Sequence, residues 1–77
     1  MDINGFIDYI QEKQKIALES SYIEKFDVCI KKGRVSVWIT VKKDRVSTPY
    51  FYNVVYNETT DDKINDIINK VEEICRR

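Results

Sequence analysis

The chain has 77 residues, 43% hydrophobic and 34% charged, with thirteen basic residues balancing thirteen acidic ones. This composition is too apolar for a disordered chain, and the length allows one core, hence a single domain over 1–77. Zero net charge removes the global attraction to polyanions that marks nucleic-acid binders, so such a partner would need a local patch.

From Asp2 to about Glu19, the residues Ile3, Phe6, Ile7, Ile10, Ala17 and Leu18 recur at intervals of three and four, which is the spacing of one helical face. Asp2 is the predicted cap, Ser20 and Ser21 the exit, and Tyr9 and Ile16 fall off the main stripe. From about Glu24 the period changes to two. Phe26, Val28 and Ile30 alternate with Asp27, Cys29 and Lys31, the pattern of a half-buried strand, and Lys32-Gly33 makes a turn. Val35, Val37, Ile39 and Val41 then alternate with Ser36, Trp38, Thr40 and Lys42 in a second strand.

Lys43-Asp44-Arg45 reads as the next turn, which Ser47-Thr48-Pro49 could extend into a longer loop. Tyr50 to Tyr56 is aromatic and β-branched, a third strand with two candidate facings. Either Tyr50, Tyr52, Val54 and Tyr56 point to the core, or Phe51, Asn53 and Val55 do; the first is favoured because a buried Asn53 needs hydrogen-bond partners. Thr59 or Thr60 caps a final helix with the stripe Ile64, Ile67, Ile68, Val71, Ile74 and Cys75. Asp61 and Asp62 at its start and Arg76 and Arg77 at its end complement the helix dipole. The predicted fold is α+β, ordered α-β-β-β-α: a three-stranded antiparallel sheet with both helices on one face.

Catalytic chemistry finds little material here. With no histidine there is no Ser-His or Cys-His pair, and Cys29 and Cys75 lie outside metal-ligand spacing. Gly5 and Gly33 stand alone and cannot build a phosphate loop. The expectation is a protein that is not an enzyme and takes no cofactor or metal. Asp2 stands where a secretory signal carries positive charge, and no apolar run reaches membrane-spanning length, so the expected location is cytoplasmic, without membrane association. Both cysteines then read as free thiols, and Asn57-Glu58-Thr59 as an accidental match to a glycosylation acceptor.

Strand alternation places Cys29, Trp38, Phe51 and Val55 on the sheet face opposite the helices. Large aromatic surfaces left facing solvent are natural binding hot spots. The candidate partner-binding residues are therefore Trp38, Phe51 and Cys29, with Lys31, Arg34 and Lys42 at the rim. Residues 24–45 hold seven basic side chains against three acidic ones, so the basic hairpin turns offer an alternative, nucleic-acid surface. A third expectation is a homodimer formed through the apolar stripe or a free strand edge.

The element order resembles that of the double-stranded-RNA-binding domain over nearly the whole chain, at the level of topology. That family docks phosphates with lysines at the start of its last helix, where this chain has Glu58, Asp61 and Asp62 beside Lys63. Its minor-groove loop is matched by the Lys31-Lys32-Gly33-Arg34 turn, and the resemblance implies double-stranded nucleic-acid binding as the alternative function. The chain also resembles small accessory proteins of phages and mobile elements from low-GC bacteria, being short, rich in lysine and isoleucine and free of enzyme motifs. That resemblance implies an inhibitor of a host enzyme or a defence nuclease, such as a CRISPR effector, acting by occlusion.

Overall fold

Two periodicities in the sequence, 3.6 and 2, become two layers in the computed structural model, which describes residues 2–76. Helix α1 (Ile3–Ala17) is followed by strands β1 (Ile23–Lys31), β2 (Arg34–Lys43) and β3 (Val46–Val55) and by helix α2 (Asp61–Cys75). The strands form one antiparallel sheet in the order β1-β2-β3, and both helices pack on the same face of it. The α+β class and the α-β-β-β-α order are as the sequence predicts.

The caps explain where the helices begin. The Asp2 carboxylate accepts a hydrogen bond from the Gly5 amide at 2.8 Å, and the Thr60 hydroxyl accepts one from the Lys63 amide at 3.2 Å. Thr59, the other predicted cap, instead accepts from the Val55 amide and closes the turn between β3 and α2. α1 ends sooner than Ser20: its C-cap is Leu18, which is exposed and so leaves the predicted stripe. Arg76 is the C-cap of α2; Arg77 lies outside the described residues.

The core is drawn from every element. Phe6 and Ile10 of α1, Phe26 of β1, Val35, Val37 and Ile39 of β2, Val54 of β3 and Val71 of α2 are fully or almost fully buried. The β2–β3 register, with Val37 opposite Tyr52 and Ile39 opposite Tyr50, puts Tyr50, Tyr52 and Val54 on the helix side, the favoured facing, but Tyr56, predicted to join them, lies beyond the end of β3 and is exposed. A register shift between Ile23 and Lys25 is a β-bulge in β1. It lets Ile23 and Phe26, three residues apart, both point into the core while Glu24 and Lys25 point out.

Two boundaries differ from expectation. β3 begins at Val46, not Tyr50, because the chain reverses in the two residues Asp44 and Arg45, both left-handed with φ of 54° and 68°. These are the angles of the tight hairpin turn whose twist matches the flanking strands. Ser47, Thr48 and Pro49 are strand residues, so the longer loop does not form. Ile30, predicted to be core, is 47% exposed. The first turn of α1 borders Val54–Thr60 while its Gln14 reaches β1 at Phe26, so α1 crosses the sheet obliquely and leaves the Ile30 corner unroofed.

Hydrogen bonds across the layers fix the helices in place. Gln14 donates from its side-chain amide to the Phe26 carbonyl on the outer edge of β1 at 2.8 Å. The Tyr22 hydroxyl donates to the Cys75 carbonyl, satisfying one of the terminal acceptors of α2. Between the helices, the Tyr9 hydroxyl donates to Glu72, which also pairs with the Lys13 ammonium at 2.7 Å. Among the described residues no helix is long and apolar enough to cross a membrane.

Candidate functional site

With both helices on one side, the other face of the sheet has no layer over it. Its composition follows from the register. Trp38 lies opposite Asp27 on β1 and Phe51 on β3, Ser36 lies between Cys29 and Asn53, and Thr40 lies between Lys25 and Pro49. All six residues singled out from the sequence, Trp38, Phe51, Cys29, Lys31, Arg34 and Lys42, are on this face, because each is an even number of positions from its neighbours along a strand.

Trp38 and Phe51 are the centre of the face. Their rings are tilted at 45° with centroids 5.1 Å apart, within the range where aromatic pairs attract. The pair does not hide either ring: Trp38 remains 39% exposed and Phe51 54% exposed. Cross-strand pairing therefore accounts for part of their presence but leaves a substantial apolar surface in water. Beside Trp38 a shallow hollow of about 520 Å³ is lined by Gln14, Lys25, Asp27, Val28 and Cys29.

Polar groups frame the rings. Above them along β2, Ser36 is 7% exposed and its hydroxyl donates to the Asn53 side-chain oxygen at 3.0 Å. This explains why Asn53 belongs on this face and not in the core. Arg34 and Lys42 stand four residues before and after Trp38, roughly 13 Å to either side at strand rise. Lys31 pairs with Arg34 beside the Gly33 turn, so two cations sit together at that end. There Gly33 has φ of 77°, a left-handed conformation that glycine adopts without strain.

Charges that the sequence reading left out moderate this rim. Asp27 lies directly opposite Trp38 and holds the Lys25 ammonium at 3.4 Å. Glu24, turned outward by the bulge, accepts a hydrogen bond from the Ser47 hydroxyl at 3.1 Å. The face thus carries Lys25, Lys31, Arg34 and Lys42 against Glu24 and Asp27. Asp27 was legible from alternation alone; Glu24 was not, because the bulge breaks the period that would have placed it.

Elsewhere the structure offers less. A second concavity, between the starts of the two helices, is lined by Asp2, Glu58 and Asp61 and is therefore electronegative. Among the described residues no cluster of three or more Cys, Asp or Glu side chains converges as metal ligands would. Cys29 and Cys75 are free, half-buried thiols, and burial pushes the Cys75 thiol pKa up. No family model, no curated protein and no solved structure matches this chain.

Proposed function

We propose that this chain is a small non-enzymatic protein-binding module that works in the cytoplasm and presents its open sheet face to a protein partner. The observation that carries the reading is the Trp38–Phe51 pair: two touching aromatic rings at the middle of a sheet face, both still substantially exposed. Rigid aromatic surface at the centre of a patch with a polar rim is the usual composition of an interface hot spot. The basic residues Lys31, Arg34 and Lys42 favour an acidic partner surface and would speed its encounter. Such a module acts by occlusion: it covers a functional surface of its target, as an inhibitor of a host enzyme or a defence nuclease would.

The competing reading is double-stranded nucleic acid bound through the basic turns. Glu58, Asp61 and Asp62 at the start of α2, and Asp27 and Glu24 on the open face, weigh against it by repelling phosphates. Affinity capture from a lysate separates the two, using tagged wild-type and Trp38→Ala chains, with and without nuclease. The proposal expects a nuclease-resistant protein retained by wild type and lost with Trp38→Ala. Capture abolished by nuclease would overturn it in favour of nucleic acid.

A further inference from the structure

The two outer edges of the sheet are built differently. In a two-residue hairpin the closing pair exchanges its backbone hydrogen bonds, and bonded pairs then alternate along the ladder. Lys43 and Val46 close the β2–β3 turn, so the even-numbered residues of β3 bond to β2 and the odd-numbered ones direct their backbone groups outward. Two contacts agree with this parity: the Tyr56 amide bonds back to the Gly33 carbonyl, and the Val55 amide is taken by Thr59 instead of by β2. The outward groups on β3 are therefore the amides of Ser47, Phe51 and Asn53 and the carbonyls of residues 47, 49, 51 and 53, the Val55 carbonyl being taken by the Glu58 and Thr59 amides.

The β1 edge is defended against pairing. It carries the bulge at Glu24, the charges of Glu24, Lys25, Asp27 and Lys31, and the Gln14 amide on its Phe26 carbonyl. The β3 edge has no such cover. In a chain that is 34% charged, residues 46–57 contain no charged side chain. Its one guard is Pro49, which lacks an amide.

We infer that β3 pairs with β3 of a second copy of this chain, antiparallel across a two-fold axis at Tyr50, giving a six-stranded sheet. This register uses every outward donor: Ser47 and Asn53 exchange both bonds with Asn53 and Ser47 of the other copy, and Phe51 donates to the other copy's Pro49 carbonyl. Pro49, which has no amide to offer, falls opposite Phe51, whose carbonyl is left to solvent. Centring on Phe51 would set the Ser47 amide opposite the Val55 carbonyl, which is already engaged, and centring on Tyr52 would set it opposite Asn57, which is left-handed and outside the strand. The engaged Val55 carbonyl thus selects the register.

A second copy fits this edge for electrostatic reasons as well. A two-fold axis sets two copies of the same strand side by side, so a strand of one charge sign would repel itself, whereas this strand is neutral. The chain's net charge of zero adds no long-range repulsion between copies. The defended β1 edge prevents further strands from adding, so assembly closes at two. On the open face Phe51 of each copy would then stand opposite Pro49 of the other, the two rings flanking the axis.

Light scattering and amide hydrogen exchange on the wild-type chain, from micromolar to millimolar, test this. The mass should rise to twice that of the chain, and exchange at Phe51, Asn53 and Ser47 should slow at least about tenfold over the same range. Phe51→Lys, which sets one cation from each copy beside the axis, should remain a monomer with those amides unprotected. A wild-type mass that stays monomeric at millimolar concentration overturns the inference. So does a dimer in which these three amides exchange as fast as in dilute solution, a reading that needs no variant to fold.

Discussion

Replacing Glu72 with Gln perturbs one contact between the two helices while keeping its shape. The Glu72 carboxylate receives the Lys13 ammonium at 2.7 Å and the Tyr9 hydroxyl, and Arg76 approaches its other oxygen at 3.8 Å. The Lys13 bond, then the Tyr9 bond, hold its pKa below the ordinary 4.5, while burial and Glu72 push Tyr9 well above the usual phenol range. Arg76 is 78% exposed and contributes little; the Lys13 and Glu72 side chains are 23% and 27% exposed. A charge-assisted bond in that half-buried setting is worth about 1 kcal/mol, which in a domain of this size corresponds to a Tm lower by about 4–8 °C. A carboxyl whose folded pKa is depressed stabilises fully above its unfolded value and loses that stabilisation as pH falls through the folded value. Thermal unfolding followed by circular dichroism should therefore show Glu72→Gln below wild type at neutral pH, with the gap closing below pH 4.5. Equal Tm values at neutral pH, or a gap that persists unchanged at about pH 3, would refute the reasoning.

Other changes probe other parts of the fold. Arg45→Gly should raise stability by about 1 kcal/mol in urea titrations, since Arg45 pays the left-handed penalty at φ 68° and Asp-Gly suits this turn; a loss of stability would mean the Arg45 side chain matters more than its backbone. Phe26→Ala, at a site 1% exposed, should lose about 3–5 kcal/mol and leave the domain largely unfolded, measured as collapse of amide dispersion in NMR spectra. A double-mutant cycle on Trp38→Ala and Phe51→Ala should give a coupling of about 0.5–1.5 kcal/mol in unfolding free energy, and a coupling near zero would mean the 5.1 Å ring contact is not formed in solution.

Alternation made most of this architecture readable from sequence, and the facing of β3 followed from one residue. Asn53 could not be buried cheaply, and in the structure it lies on the open face bonded to Ser36. The same alternation collected Trp38, Phe51, Cys29, Lys31, Arg34 and Lys42 on one surface before any coordinates. What escaped the sequence was local geometry that no period encodes. Asp44-Arg45 lacks the glycine that usually announces a tight hairpin, and Pro49 reads as a strand breaker unless the strand is at an edge, where its missing amide is harmless. The bulge that turns Glu24 outward has no residue signature here. The Tyr9–Glu72–Lys13 cluster depends on how two helices distant in sequence come to lie side by side, and in the sequence Tyr9 is merely off the stripe.

The central claim is that the open face around Trp38 binds a protein, and the affinity of a captured partner for defined variants tests it most directly. By titration calorimetry, Trp38→Ala should lose at least about 2 kcal/mol, roughly thirtyfold in Kd, while Asp66→Asn on the exposed side of α2 should match wild type. Trp38→Ala binding within about 1 kcal/mol of wild type, with its fold intact by circular dichroism, would contradict the account.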